Sequence, residues 1–196
     1  MVVPMSDRPT RDHPYAGYPL WFVDDLVEKL PPSARRWLVL AKMDLDPQHI
    51  QPSPVRWVFA LIVANLGSLA SDAILVAMGT TLFPSTRGFP HFLPSDYGKL
   101  TIIGVTIACI AWPIVTRISS QPRWLFLRLA VLVTLFLWLP DLWILAHGEP
   151  VHGVGVLMVM HLAIAFITYN TLVRLAPVGD LDEPSRAVTP VPWRQE

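Results

Sequence analysis

The sequence is poor in cysteine and in charge, and each shortage removes a class of protein. Cys109 is the single cysteine in 196 residues, which excludes an internal disulfide framework, a cysteine-based zinc site and a paired-thiol redox centre. Charged side chains make up 15% of the chain, well below the share of about 25% usual in soluble domains. Fifteen Lys and Arg balance fifteen Asp and Glu, so no net positive field marks the chain for nucleic acid. Signatures of chemistry are missing as well. There is no glycine-rich phosphate loop, no HExxH, no GxSxG elbow and no dinucleotide fingerprint, and no cofactor or metal is called for. Spans one and two do not repeat the polar positions or lengths of spans three and four, so the inverted repeat of many transporters is absent. The first twenty residues contain Pro4, Asp7, Pro9, Asp12 and Pro14 and no continuous apolar core, so no secretory signal is expected.

What the chain has in quantity is apolar surface: 53% of its residues are hydrophobic and the mean hydropathy is +0.45. Four stretches, 57–82, 100–118, 124–146 and 154–176, match or approach the roughly 20 helical residues that cross a hydrocarbon core of about 30 Å. A water-soluble bundle would need polar outer faces on them. Between residues 129 and 140, however, Thr134 is the only polar side chain. The expected fold class is therefore all-α: an integral membrane four-helix bundle with a cytoplasmic amphipathic N-terminal arm. Residues 1–56 form the arm, 57–176 the bundle and 177–196 a disordered cytoplasmic tail. The lipid bilayer is the first partner.

Basic residues set the orientation, because Lys and Arg flanking short loops stay on the cytoplasmic side. Only Arg87 and Lys99 fall on one side; the other thirteen of the 15 fall on the side of the termini and the link between spans two and three. Both termini are expected in the cytoplasm of a cell with this protein in its cell membrane. In the arm, residues 20–30 read as an amphipathic helix and 33–42, with Arg35, Arg36 and Trp37, as a second. A membrane surface and a partner or self-docking site both fit that pattern. Residues 44–54, with Pro47, Pro52 and Pro54, read as a linker.

Helices in lipid meet through small residues that let backbones approach. Span two offers Thr101, Gly104, Ala108 and Ala111; span one offers Ala64 with Ser68 and Gly67 with Ser71. Cys109 is expected to be buried and inert. Pro113 and Pro140 should kink or end their helices and free carbonyls for a neighbour to satisfy. Trp57, Trp124 and Trp143 are expected as interfacial anchors, as are Trp21 and Trp37 in the arm.

An ionised Asp, Lys or Arg at the centre of a membrane helix costs roughly 2.5–3.5 kcal/mol, so each such group needs a reason. Arg128 and Arg174 lie near the cytoplasmic ends and can snorkel. Asp72, Asp141 and His161 cannot. At about 1.5 Å per residue, Asp141, His161 and Asp72 lie roughly 7, 10 and 15 Å from the outer ends of their spans, a descending series. The short link 147–153 makes spans three and four antiparallel neighbours, which brings Asp141 within reach of His161. Asn65, Ser68 and Asp72 recur on one face of span one, and His161, Ala165 and Thr168 on one face of span four. Two readings of the set Asn65, Ser68, Asp72, Asp141, His161 and Thr168 stay open. It is interhelical glue, or it lines a pocket open to the outer face whose carboxylate and imidazole exchange a proton near neutral pH. A second cluster in the outer loops, His91, Asp96, His147, Glu149 and His152, could bind zinc or copper or simply sit at the interface. A hydrolase built on Ser68 or Ser71 lacks an oxyanion site.

Four local motifs carry a resemblance: Tyr97 to Thr101 opening span two, Ala111-Trp112-Pro113 near its end, Pro140-Asp141-Leu142 in span three and Met160-His161 in span four. Over residues 95–177 the chain resembles a family of small, uncharacterised four-span membrane proteins of actinobacteria. The resemblance implies the fold and the compartment and supplies no reaction. The role expected first is a nonenzymatic accessory or stabilising subunit of a larger membrane assembly, such as a transporter, with a membrane protein or a second copy as partner. The alternative is a protein that binds a small ligand or lipid in the polar pocket.

Overall fold

A computed structural model describes residues 31, 33, 34, 37, 40, 49–119 and 121–180. The chain divides into two compact units, Met1–Leu40 and Ala41–Glu196. In the first, positions 33, 34, 37 and 40 are helical, within the second helix expected for the arm. The helix expected over 20–30 and Trp21 lie outside the described residues, as does the tail beyond 180.

Among its described residues the second unit is predominantly helical. Its helices are α1 (Pro54–Leu82), α2 (Pro94–Ile118), α3 (Pro122–Ala146) and α4 (Val151–Leu175), and all four are long and apolar enough to cross a membrane. They start two to six residues before the apolar stretches do. Proline sets three of the starts: Pro54, Pro94 and Pro122 occupy the first turn, where the missing N–H has no helical partner to lose and the fixed φ is already helical. Single 3-10 turns at Pro84–Thr86 and Pro90–Phe92 fill the link between α1 and α2. Two-residue strands β1 (His49–Ile50) and β2 (Gly179–Asp180) pair antiparallel. Both lie where a linker and a disordered tail were expected. They leave the neighbouring ends of α1 and α4, and pairing satisfies backbone groups that the helices no longer serve.

The most extensive interface is α1 against α4, followed by α3 against α4 and α2 against α1. Small residues allow the first. Ala60, Ala64 and Ser68 are fully buried along α1; a Cβ on Gly67 would stand 3.2 Å from Ile167, and one on Gly79 2.9 Å from Val156. On α2 the buried face is Thr101, Val105, Cys109 and Trp112, with Ala108 and Ala111 of the expected small-residue stripe half-buried against the core. Gly104 is exposed and would have nothing within 4 Å of an added Cβ, because the helix turns that position away from α1. Cys109 is buried, as expected.

Neither internal proline ends its helix: α2 runs through Pro113 and α3 through Pro140. Pro113 has no N–H for the carbonyl four residues back, which belongs to Cys109. The Trp57 indole donates to that carbonyl at 2.9 Å. Trp112 likewise donates to the carbonyl of Ala176, which caps α4, at 2.9 Å, and Trp138 of α3 donates to the carbonyl of Met158 at 3.2 Å. Trp57 is thus a staple between helices. An apolar core of Ala60, Ala64, Val105, Cys109, Trp112 and Leu172, with its neighbours, fills the end of the bundle that carries the termini.

Candidate functional site

The polar residues lie between that core and the loop end. The antiparallel register of α1 and α4, fixed by Gly67 against Ile167 and Gly79 against Val156, sets Asp72 opposite the turn containing His161. Asp72 is ten residues from the end of α1 and His161 ten residues from the start of α4. Of the descending series expected from sequence, Asp141 keeps the outermost place, five residues from the end of α3, and the step between His161 and Asp72 disappears. That step came from starting span four at 154, when the helix starts at Val151.

Each helix gives one residue to this layer. Asp72 of α1 is fully buried, and the hydroxyl of Thr101 on α2 donates to its Oδ2 at 2.6 Å. Asp141 of α3, 6% exposed, places Oδ2 3.0 Å from Nδ1 of His161 on α4. Those two atoms meet at ion-pair distance without the alignment of a hydrogen bond. His161 also lies within Coulombic range of Asp72, so one imidazole serves two carboxylates. Asp141 beside His161 is the juxtaposition expected from the short link. Thr101 was expected only as a packing residue; with its span started at 100 it stood at the membrane edge. In α2 it lies two turns in, as a buried hydroxyl at the depth of Asp72.

The other residues of the stripe continue from Asp72 towards the termini. Ser68 is fully buried and Thr168 nearly so, and Asn65 is half-buried, its amide nitrogen donating to the carbonyl of Leu61 at 2.9 Å. Four oxygens here have no hydrogen-bond partner: Asn65 Oδ1, Ser68 Oγ, Asp72 Oδ1 and Thr168 Oγ1. Buried polar atoms in folded proteins are almost always paired. Thr134 shows how the same fold settles an isolated hydroxyl, by donating to the carbonyl of Ala130 one turn back at 2.8 Å.

The outer-loop cluster does not form. Among the described residues no three His, Cys, Asp or Glu side chains come together to hold a metal. Its histidines rest on aromatic rings instead: His152 on Phe83 at 4.2 Å, His91 edge-on to Phe89 at 5.2 Å and His147 over Trp143 at 4.1 Å. Arg128 stacks over Trp124, 3.5 Å from the ring centre, near the end of α3 as a snorkelling side chain would. A shallow groove beside it, lined by Leu127, Arg128, Val131, Leu132 and Leu135, lies on α3 alone and includes none of the six candidate residues. Comparison with family models, with curated proteins and with solved structures found no match to this chain.

Proposed function

We propose that this chain is a nonenzymatic, multi-pass protein of the cell membrane, with both termini cytoplasmic, that binds a small polar ligand between its helices. The observation that carries the reading is the set of four unpartnered buried oxygens on α1 and α4, one of them Asp72 Oδ1. Interhelical glue works by satisfying polar atoms against one another, and half-satisfied networks destabilise a core. The Asp72–Thr101 and Asp141–His161 contacts suit glue; the orphaned stripe below them suits a site that something else completes. The resemblance of residues 95–177 to actinobacterial four-span proteins is part of the same proposal and adds the compartment.

Access by a water-soluble reagent tests it. In a Cys109→Ser background, Ser68→Cys is expected to react with a small charged methanethiosulfonate reagent in membranes, whereas Ala60→Cys on the same face stays unreactive. Equal inertness of both positions contradicts the reading.

A specific observation favours the second role, an accessory subunit that packs sideways on another membrane protein or a second copy. Helix α3 buries 11% of its most apolar stretch, against 22–28% for the other three. Its remaining face, including Leu132, Leu135, Phe136 and Leu139, is exposed, and it is the face on which a lateral partner would lie.

A further inference from the structure

We propose that the unpartnered oxygens around Ser68 and Asp72 form a site for a partly dehydrated monovalent metal cation, with Asp72 Oδ1 and Ser68 Oγ as its first ligands. The inference rests on the polar-site reading and names its ligand class.

Charge gives the first argument. The imidazole of His161 lies 3.0 Å from Asp141 Oδ2. Asp72 keeps one neutral donor, Thr101 on Oδ2, and nothing on Oδ1. Lys99, two positions before Thr101 on α2, is exposed and lies on the other side of that helix. Two carboxylates thus share one imidazole in an interior where an unpaired ion is costly.

The chemistry of the atoms gives the second. All four are oxygens, and Asn65 Oδ1 and Asp72 Oδ1 can only accept. An oxygen set without sulfur or imidazole suits hard cations. Calcium takes six to eight oxygens and magnesium a near-ideal octahedron with several retained waters, whereas the buried set here offers four oxygens, one of them a free carboxylate oxygen.

Placement is the third. Ser68 and Asp72 are one turn apart on the same face of α1, about 5–6 Å between Cβ atoms, a gap an ion can bridge. Gly67 against Ile167 sets Thr168 opposite the turn of Asn65 and Ser68, where these two oxygens can hold water that completes the shell.

The test is the melting temperature of the purified full chain in detergent, in sodium, lithium, potassium or choline chloride at equal ionic strength and fixed pH. At least one alkali cation is expected to raise it relative to choline in a saturable way. Ser68→Ala should weaken the apparent affinity roughly tenfold, the worth of one good ligand contact, and Asp72→Asn should abolish the response. Ser71→Ala, one position off the stripe, should leave it unchanged. Identical melting in choline and in all three alkali salts overturns the proposal. If Ser68→Cys remains reactive to the charged reagent while no cation stabilises, the cation assignment falls and the polar-site reading stands. If neither effect is seen, both fall.

Discussion

A carboxylate and an imidazole 3.0 Å apart in the interior of an apolar bundle make each other tolerable, and removing either leaves the other buried alone. His161→Ala is expected to destabilise the protein by about 1–3 kcal/mol, the cost of an unsatisfied buried polar group. Replacing Asp141 and His161 together by Leu should recover much of that loss, since two apolar groups can substitute for a pair that has lost both members. Chemical denaturation in mixed micelles, run as a double-mutant cycle, reads both. Thr101→Val removes the single donor to Asp72 and should cost a similar amount, with Thr101→Ser close to the parent. The Asp141–His161 contact was legible because only a short link separates their helices. The Thr101–Asp72 contact was not, because a threonine near an apolar boundary reads as packing until the proline-set start of α2 puts it two turns deeper.

The same limit holds for whole elements. Pro113 announces a carbonyl without a helical donor, but nothing in the local pattern says that Trp57, 52 residues from Cys109 in sequence, supplies it. Trp57→Phe should lower stability by about 1 kcal/mol, the net worth of a typical hydrogen bond. In a Pro113→Ala background the restored N–H serves the Cys109 carbonyl itself, so the same change should cost markedly less. Equal costs in both backgrounds would show that the indole acts through packing alone. At the other end of α1, Gly79→Ala forces a methyl to within 2.9 Å of Val156, a stiff β-branched side chain with little room to give. A loss of about 1–3 kcal/mol is expected, measured by thermal unfolding. Gly104→Ala, facing open space, should be neutral or stabilising by helix propensity. Gly104 belongs to the small-residue stripe read from the sequence and Gly79 does not, and only the rotation of each helix about its axis, which spacing alone leaves undetermined, decides which of them is packed.

At the scale of the molecule, exposed residues such as Phe59, Ile62, Leu66, Ile107, Phe136 and Phe166 clothe the bundle in apolar side chains. This is the surface expected where lipid replaces water, and it explains why a fold with so small an apolar core can hide its backbone polar groups inside four continuous helices. The four spans were legible because a long apolar run without a polar face has few other solutions. The bareness of α3 was not, since an apolar stretch reads the same whether lipid or protein covers it. If a lateral partner covers it, native mass spectrometry after mild detergent extraction should find a homo-oligomer or a copurifying membrane protein, and a strictly monomeric species without one contradicts that role. The polar layer, the depth of Asp72 and both proposed roles all require that hydrocarbon surround the helices. The direct measurement is fractionation of cells expressing the chain, with an alkaline carbonate wash and high-speed sedimentation. The protein is predicted to remain in the membrane pellet and to leave it only with detergent; a compact, folded species in the detergent-free supernatant would contradict the account.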